Sequence, residues 1–153
     1  MTIYEHAGGL PAFQRLAQAQ YRRCLEDPIL SPIFGTEPRP EHAPRLAAWL
    51  AEVFGGPRTY TEEFGGHEGM VGHHLGLAVN EEQRRRFVEL MLAAADEAGL
   101  PDDERFRRRF QDYVEWGARL AVAFSRPGAK APAGGAVPDW DWKDEAEVGE
   151  GRA

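Results

Sequence analysis

Apolar residues recur at three- and four-residue steps along most of the chain, and this spacing restricts its fold more than any other feature. Such spacing places side chains on one face of an α-helix. The alternation of apolar and polar residues that a half-buried β-strand requires is found nowhere in the sequence. The sequence therefore predicts an all-α fold. The first helix, from Leu10 to Asp27-Pro28, has an apolar face made of Phe13, Leu16, Ala17, Tyr21 and Cys24.

Three further segments show the same helical spacing. One has Leu46, Trp49, Leu50 and Val53 on its apolar face, and residues 55–57 (Gly-Gly-Pro) should end it. The next is expected to begin after Asn80, because Gln83 completes a capping box, and to end at Gly99. We expect it to bury Phe87, Leu90, Met91 and Ala94. The last opens at residues 101–103, and its apolar face is Phe106, Phe110, Tyr113, Gly117, Leu120 and Phe124.

Two stretches between these helices lack the pattern. Residues 28–35 predict a tight apolar turn. Residues 58–79 are rich in glycine and predict little helix beyond one short turn, yet they hold His67, His73 and His74. These histidines are the main candidates for chemistry, because the sequence has no glycine-rich phosphate loop and no nucleophile elbow.

Charge and cysteine content exclude several classes of function. Lys and Arg total 18 against 25 Asp and Glu, a net charge of −7. We expect no nucleic-acid partner, since nucleic-acid binding needs clustered positive charge. Cys24 is the only cysteine, so neither an internal disulfide nor a thiolate metal site is expected. The sequence has no apolar run long enough for a membrane span and no signal-peptide pattern, which predicts a cytoplasmic protein that does not bind membranes.

The composition changes after residue 126. Residues 127–153 are rich in Gly, Pro and Ala and then become acidic. We interpret them as a C-terminal tail that follows a single domain of residues 1–126. Trp140 and Trp142 lie in this tail, although disordered segments are usually poor in aromatic residues. The pair suggests docking on the body or on a partner, and the alternative is a solvated tail with incidental aromatic residues.

Taken together, these segments resemble a known family, the group II truncated haemoglobins. The resemblance covers roughly residues 3–125 and is carried by IYEHAGG, AFQRLAQAQYRRCLEDPILSPIF and LAAWLAEVFGGPRTYTEEFGGHEGMVGHHLGLAV. Its most specific part is GGPRTYTE followed by GH and then HHL. The resemblance implies a globin-like two-over-two helical sandwich that holds haem b.

The resemblance places the proximal iron ligand on His74. A neutral imidazole nitrogen binds haem iron, and the other ring N–H needs a partner that fixes the ring. The alternative is that His73 ligates the iron and His74 only ends a helix. The apolar residues after His74, in the order Leu-x-Leu-x-Val, match the family pattern and favour His74.

The resemblance also implies the distal residues and the other haem contacts. Tyr21 falls at the position of the distal tyrosine, whose hydroxyl donates a hydrogen bond to bound O₂. His42 falls at the distal histidine position. The remaining haem contacts implied by the family are Phe34 against the porphyrin, Leu46 one helical turn beyond His42, and Arg45 and Tyr60 at the propionates.

Three positions depart from the family pattern. Phe87 stands where the family usually has a tryptophan whose indole N–H points at the ligand. His42 supplies a hydrogen-bond donor where many members have a small residue, and nearby Pro44 must lie in the first turn of its helix. The arginines that usually precede the proximal histidine are missing, and we expect His73 to take over one haem contact.

The resemblance implies a haem protein that binds O₂ or another diatomic ligand at a five-coordinate iron. NO dioxygenation or a peroxidase-like reaction would extend this to catalysis, so the sequence leaves open whether the chain is an enzyme. Reduction of the iron would need an electron donor, and the sequence has no flavin or nicotinamide motif that could supply one. Two alternatives are a bis-histidyl haem sensor or electron carrier with His42 on the iron, and a haem-free globin-fold interaction module that acts through Trp140 and Trp142.

Overall fold

The computed structural model describes residues 1–129 and 135–142, and these residues form eight α-helices without any strand. The all-α prediction is therefore confirmed. None of the eight helices combines the length and apolar character needed to cross a membrane. The helices are α1 (Ile3–Ala7), α2 (Gly9–Glu26), α3 (Ser31–Phe34), α4 (His42–Val53), α5 (Thr59–Glu63), α6 (Gly66–His74), α7 (Glu81–Glu97) and α8 (Glu104–Ser125).

Two helix pairs form the body of the molecule. Helix α2 packs against α4, helix α7 packs against α8, and contacts between α2 and α7 join the pairs. Their apolar faces meet in one main core. The apolar face predicted for α8 is buried in this core along the first half of the helix and only partly buried along the second half. The largest fully buried aromatic side chains are Phe13, Phe54, Phe106 and Phe110.

The stretch 28–35 was predicted as a turn, but it contains the short helix α3. Asp27 accounts for the difference. Its carboxylate accepts hydrogen bonds from the N–H groups of Ile29 and Leu30, at 3.1 and 3.2 Å. The Nε atom of Arg86 donates to the same carboxylate at 2.8 Å. The carboxylate thus holds the turn that leads into α3, whose own N-cap residue, Leu30, makes no side-chain capping bond.

The prediction for residues 58–79 allowed one short helical turn, which α5 provides, but it missed the nine-residue helix α6. Helix α6 begins next to Gly65, whose φ of +88° is accessible mainly to glycine. Inside the helix, a Cβ atom on Gly69 would lie 2.5 Å from the carbonyl oxygen of Phe64. Glycine therefore permits close backbone contacts here, and it also removes the apolar spacing by which α6 could have been predicted.

Helix α7 begins with the predicted capping box. The side chain of Asn80 accepts a hydrogen bond from the Gln83 N–H at 2.8 Å, and the Gln83 side chain accepts one from the Asn80 N–H at 2.9 Å. Two backbone donors at the start of the helix are thereby satisfied. The capping prediction is confirmed.

We expect Asn80→Ala to lower the free energy of unfolding by ~1 kcal/mol, because the Gln83 N–H loses its acceptor. Urea denaturation of the full chain, followed by circular dichroism, measures this change. Asn80→Ser is the matched control, since serine keeps an acceptor oxygen and should retain most of the stability. Equal losses for the two variants would contradict the capping role.

Part of the predicted tail lies along the helical body. Trp140 and Trp142 both pack against the main core, and each lies beneath an arginine of α8. The guanidinium carbon of Arg109 is 4.6 Å from the ring centroid of Trp140, and that of Arg105 is 4.0 Å from the ring centroid of Trp142. Residues 130–134 and 143–153 of the predicted tail lie outside the described residues.

Candidate functional site

A cavity of about 380 Å³ opens between the two helix pairs. Its volume lies in the range of small-molecule sites, roughly 300–1,000 Å³. Helices α2 to α8 each contribute to its lining. The structure thus brings together every site residue named from the sequence, although their roles remain predictions. These residues are Tyr21, Phe34, His42, Arg45, Leu46, Tyr60, His73, His74 and Phe87.

His74, the last residue of α6, has the geometry of a metal ligand. Its Nδ1 atom lies 2.8 Å from the Met70 carbonyl oxygen. A carbonyl can only accept, so Nδ1 carries the ring proton and Nε2 keeps a free lone pair. Burial lowers the pKa of His74, which keeps the ring neutral near pH 7. His74 can therefore bind a metal through Nε2 while its ring is held by the helix.

The described part of the chain contains no group of three or more His, Cys, Asp or Glu side chains that could hold a metal ion. Most of the other ligands of a metal at His74 would then come from a cofactor and not from protein side chains. Iron in a porphyrin meets this requirement, because the macrocycle supplies four nitrogen ligands and leaves the axial positions to the protein. The donor set at His74 fits haem iron.

His73 differs from its neighbour in its surroundings. It is exposed, and its Nε2 atom accepts a hydrogen bond of 2.6 Å from the Nη1 of Arg45. Burial and the charge of Arg45 lower the pKa of His73. Its accepting nitrogen is thus already engaged by Arg45. This contrast favours His74 as the candidate for metal binding.

Arg45 carries an unsatisfied donor at the cavity. Among the described residues, its buried Nε–H has no hydrogen-bond partner. A buried cationic donor without an acceptor is costly, and a carboxylate satisfies it well. Tyr60, which is 4% exposed, lines the same cavity, and burial raises its pKa. Both groups fit the acidic side chains of a porphyrin.

Tyr21 and His42 lie face to face, with ring centroids 4.2 Å apart and an angle of 20° between the rings. The backbone N–H of Arg39 donates to the Tyr21 hydroxyl oxygen at 2.8 Å, so the Tyr21 O–H proton is left to donate elsewhere. Burial, followed by the neighbouring His73 and the positive charge of Arg39, lowers the pKa of His42 to about 4. His42 is therefore neutral near pH 7. Pro44 lies in the first turn of α4, as predicted.

Phe34 and Phe87 form an aromatic part of the cavity wall. Their rings are nearly parallel, with centroids 6.3 Å apart, and the Phe34 ring meets His42 edge-on at 5.5 Å. Phe87 was expected in the core, but it is only half-buried because it faces the cavity. Leu46, also partly buried, lines the cavity from α4.

Other residues of the lining were not predicted as part of a site. Trp49 was assigned to a buried helix face, yet it also lines the cavity and donates through Nε1 to the Tyr113 hydroxyl at 2.6 Å. His67 was among the histidines considered for chemistry, but it was given no specific role. It lies seven residues before His74, which places it two helical turns away on the same face of α6. This spacing could have indicated a site residue only if the helix itself had been predicted. Trp116, Ala136 and Pro138 also line the cavity, and no sequence pattern indicated this.

Comparisons with known proteins agree with this architecture. The family model described as bacterial-like globin matches residues 2–115. The chain is 31% identical to the group 2 truncated hemoglobin of Bacillus subtilis (strain 168) over 97 residues. These aligned residues cover 63% of this chain and 72% of that protein. It is 30% identical over 80 residues to the group 1 truncated hemoglobin of Nostoc commune, covering 52% of this chain and 64% of that relative's length. The solved structure of the group II truncated hemoglobin from Bacillus anthracis is similar with a TM-score of 0.71 at 28% identity, over 80% of this chain and 91% of that one.

Proposed function

The chain belongs to the bacterial-like globin family, and on this premise we propose that its cavity holds one b-type haem and presents it to a small ligand. The prediction of a group II truncated globin with a two-over-two helical fold is confirmed. Haem-based ligand binding is the general function of this family. The observation that carries the proposal is a single cavity lined by His74, with its free Nε2, and by Arg45, with its unsatisfied Nε–H.

Each side of the proposed site has a defined task. Bound haem supplies an iron atom that exchanges small ligands and changes its oxidation state. We assign His74 Nε2 to the iron, with the hydrogen bond to Met70 holding the ring. Arg45 and Tyr60 would hold the propionates, with His73 beside Arg45. The packing residues against the porphyrin would be Phe34, Leu46 and Phe87.

Tyr21 and His42 would provide the polar side of the ligand site. The Tyr21 hydroxyl can donate to a ligand, because its oxygen already accepts from the Arg39 N–H. His42 is neutral and stacked on Tyr21. One of its ring nitrogens can therefore donate a hydrogen bond while the other can accept a proton. We propose O₂, NO or peroxide as ligands. Redox chemistry would need an electron donor from outside this chain, in the cytoplasm.

Titration of the full chain with hemin tests the proposal. We expect a Soret band that saturates at one hemin per chain. After anaerobic reduction, the spectrum should be that of five-coordinate, high-spin iron. Absence of saturable binding would refute the haem proposal and favour the haem-free interaction module.

One observation favours a second candidate, the bis-histidyl haem sensor or electron carrier. His42 lines the same cavity as His74 and has a neutral ring, as an iron ligand requires. Against this candidate, its ring is held between Tyr21 and Phe34 by aromatic contacts. A six-coordinate, low-spin spectrum of the reduced protein that His42→Ala converts to five-coordinate would establish the second candidate.

We expect Phe87→Trp to slow O₂ dissociation about fivefold, because an indole N–H at this position adds a hydrogen bond to the ligand. Stopped-flow displacement of O₂ by CO measures the rate. Phe87→Leu is the control, since it changes the size of the side chain without adding a donor, and it should not slow dissociation. An unchanged rate for Phe87→Trp would mean that residue 87 does not face the ligand.

A further inference from the structure

The C-terminal segment of residues 135–142 reaches the cavity that is assigned above to haem. Ala136 and Pro138 line this cavity together with residues of α8. Both lie beyond residue 115, where the family match ends. The cavity of this chain is therefore lined in part by residues that lie outside the region matched by the family model.

Trp140 fixes this segment to the outside of the cavity wall. Its backbone N–H donates to the Val53 carbonyl oxygen at 2.8 Å. Its ring centroid lies 5.4 Å from that of Trp116 and 5.5 Å from that of Tyr113, and both of these residues line the cavity. On the other side, Arg109 packs over the indole and donates through Nε to the Trp140 carbonyl oxygen at 2.9 Å. Trp140 thus connects the segment directly to cavity-lining side chains.

Asp141 sets the position of the segment along the body. Its Oδ1 atom accepts a hydrogen bond from the Ile3 N–H at 2.7 Å. A Cβ atom on Gly55 would lie 2.6 Å from the Asp141 carboxylate, so this approach depends on glycine at position 55. With Trp140 and Asp141 both held, a shift of the segment by even one residue would break several contacts. The positions of Ala136 and Pro138 are thereby defined.

The segment also contacts the helix that bears His74. At Gly135 the backbone passes so close to His67 of α6 that an added Cβ atom would lie 2.2 Å from the His67 Nδ1. The His67 ring meets Phe124 of α8 edge-on, with centroids 5.9 Å apart. The segment therefore extends from its anchor on α8 to α6, and its cavity-lining residues lie between the two contacts.

We propose that residues 135–138 form one wall of the haem site, and that Trp140 is the positioning residue that holds this wall in place. The inference rests on the haem binding proposed above. The alanine and proline side chains are apolar, and such side chains line most of a cofactor site and exclude water from it. With its wall held, the site releases haem more slowly than it would with the wall detached.

Hydrogen exchange of the unaltered full chain is the first test. Saturating hemin should slow amide exchange in the peptides that cover residues 135–142. The Soret titration on the same sample establishes that hemin is bound, so a failure of haem binding is recognised separately. Saturated binding with no change in the exchange of these amides would overturn the proposed wall.

Hemin transfer to an excess of a high-affinity apoglobin is the second test. We expect Trp140→Ala to accelerate hemin loss about fivefold, because it removes the aromatic anchor, and to expose the amides of residues 135–142 to exchange. Trp140→Phe keeps an aromatic ring and should restore slow loss. Trp142→Ala is the matched control, because Trp142 is outside the cavity lining and Trp140 and Asp141 still hold the segment.

The outcomes of the second test are distinct. Rapid amide exchange in Trp140→Ala with an unchanged rate of hemin loss would show that the segment is not part of the site. Unchanged amide protection in Trp140→Ala would show that Trp140 does not position the segment. A global unfolding of Trp140→Ala, seen in its melting curve, leaves Trp140→Phe and the exchange of the unaltered chain to decide the proposal.

Discussion

Replacing His74 by alanine is expected to weaken hemin binding at least about 100-fold, since even partners that only orient a ligand contribute roughly 10–100-fold to metal affinity. The substitution removes the Nε2 atom of the cavity-lining histidine that is assigned to the iron. The Soret band of the remaining complex should be shifted and broadened, because the iron would lose its axial nitrogen. Absorbance titration with hemin measures both effects.

His73→Ala is the matched control for this prediction. The two histidines are adjacent, but the accepting nitrogen of His73 is engaged by Arg45. Its loss should reduce hemin affinity only a few-fold and leave the spectrum of the iron unchanged. The reverse pattern, with His73→Ala abolishing binding and His74→Ala preserving it, would move the iron ligand to His73.

The largest effect on stability is expected for Phe54→Ala, which should lower the free energy of unfolding by ~3–5 kcal/mol. Phe54 is fully buried at the end of α4, where its ring packs against those of Phe13, Phe110 and Tyr113, at centroid distances of 6.0, 6.1 and 5.3 Å. Alanine would leave a cavity among these rings, which their rigid shapes cannot fill. Urea denaturation of the haem-free protein measures the loss.

Phe64→Ala provides the comparison for Phe54→Ala. It deletes the same side chain from a partly buried position, where the ring contacts Tyr60 and Arg45. Less apolar surface becomes exposed to water, so the loss of stability should be less than half that of Phe54→Ala. Comparable losses for the two variants would mean that Phe54 does not occupy a rigid part of the core.

The four long helices could be predicted because each has an apolar face that packs into the core. For α2, the five predicted residues of that face are all buried. Helix α6 could not be predicted in this way, since only Gly66 and Val71 are buried in it. It is held between α5 and α8, and its glycines permit close packing in place of an apolar stripe.

The candidate site was predicted from a resemblance and not from the periodicity of the sequence. Spacing alone assigns Tyr21 to a buried face, but it cannot show that Tyr21, His42 and His74 share one cavity. The family pattern supplied that information, and the structure brings these residues together. The pattern gave no information on Ala136 and Pro138, because their contacts depend on tertiary packing far along the chain.

The hydrogen bond between Ile3 and Asp141 also bears on the order in which the molecule is assembled. It joins positions 138 residues apart. Closing a loop costs entropy that grows with its length, and contacts between distant positions form late unless earlier structure brings them together. We expect the helices to fold first and the C-terminal wall to close last. A haem bound at the proposed site would then meet the wall only after the helical pocket has formed.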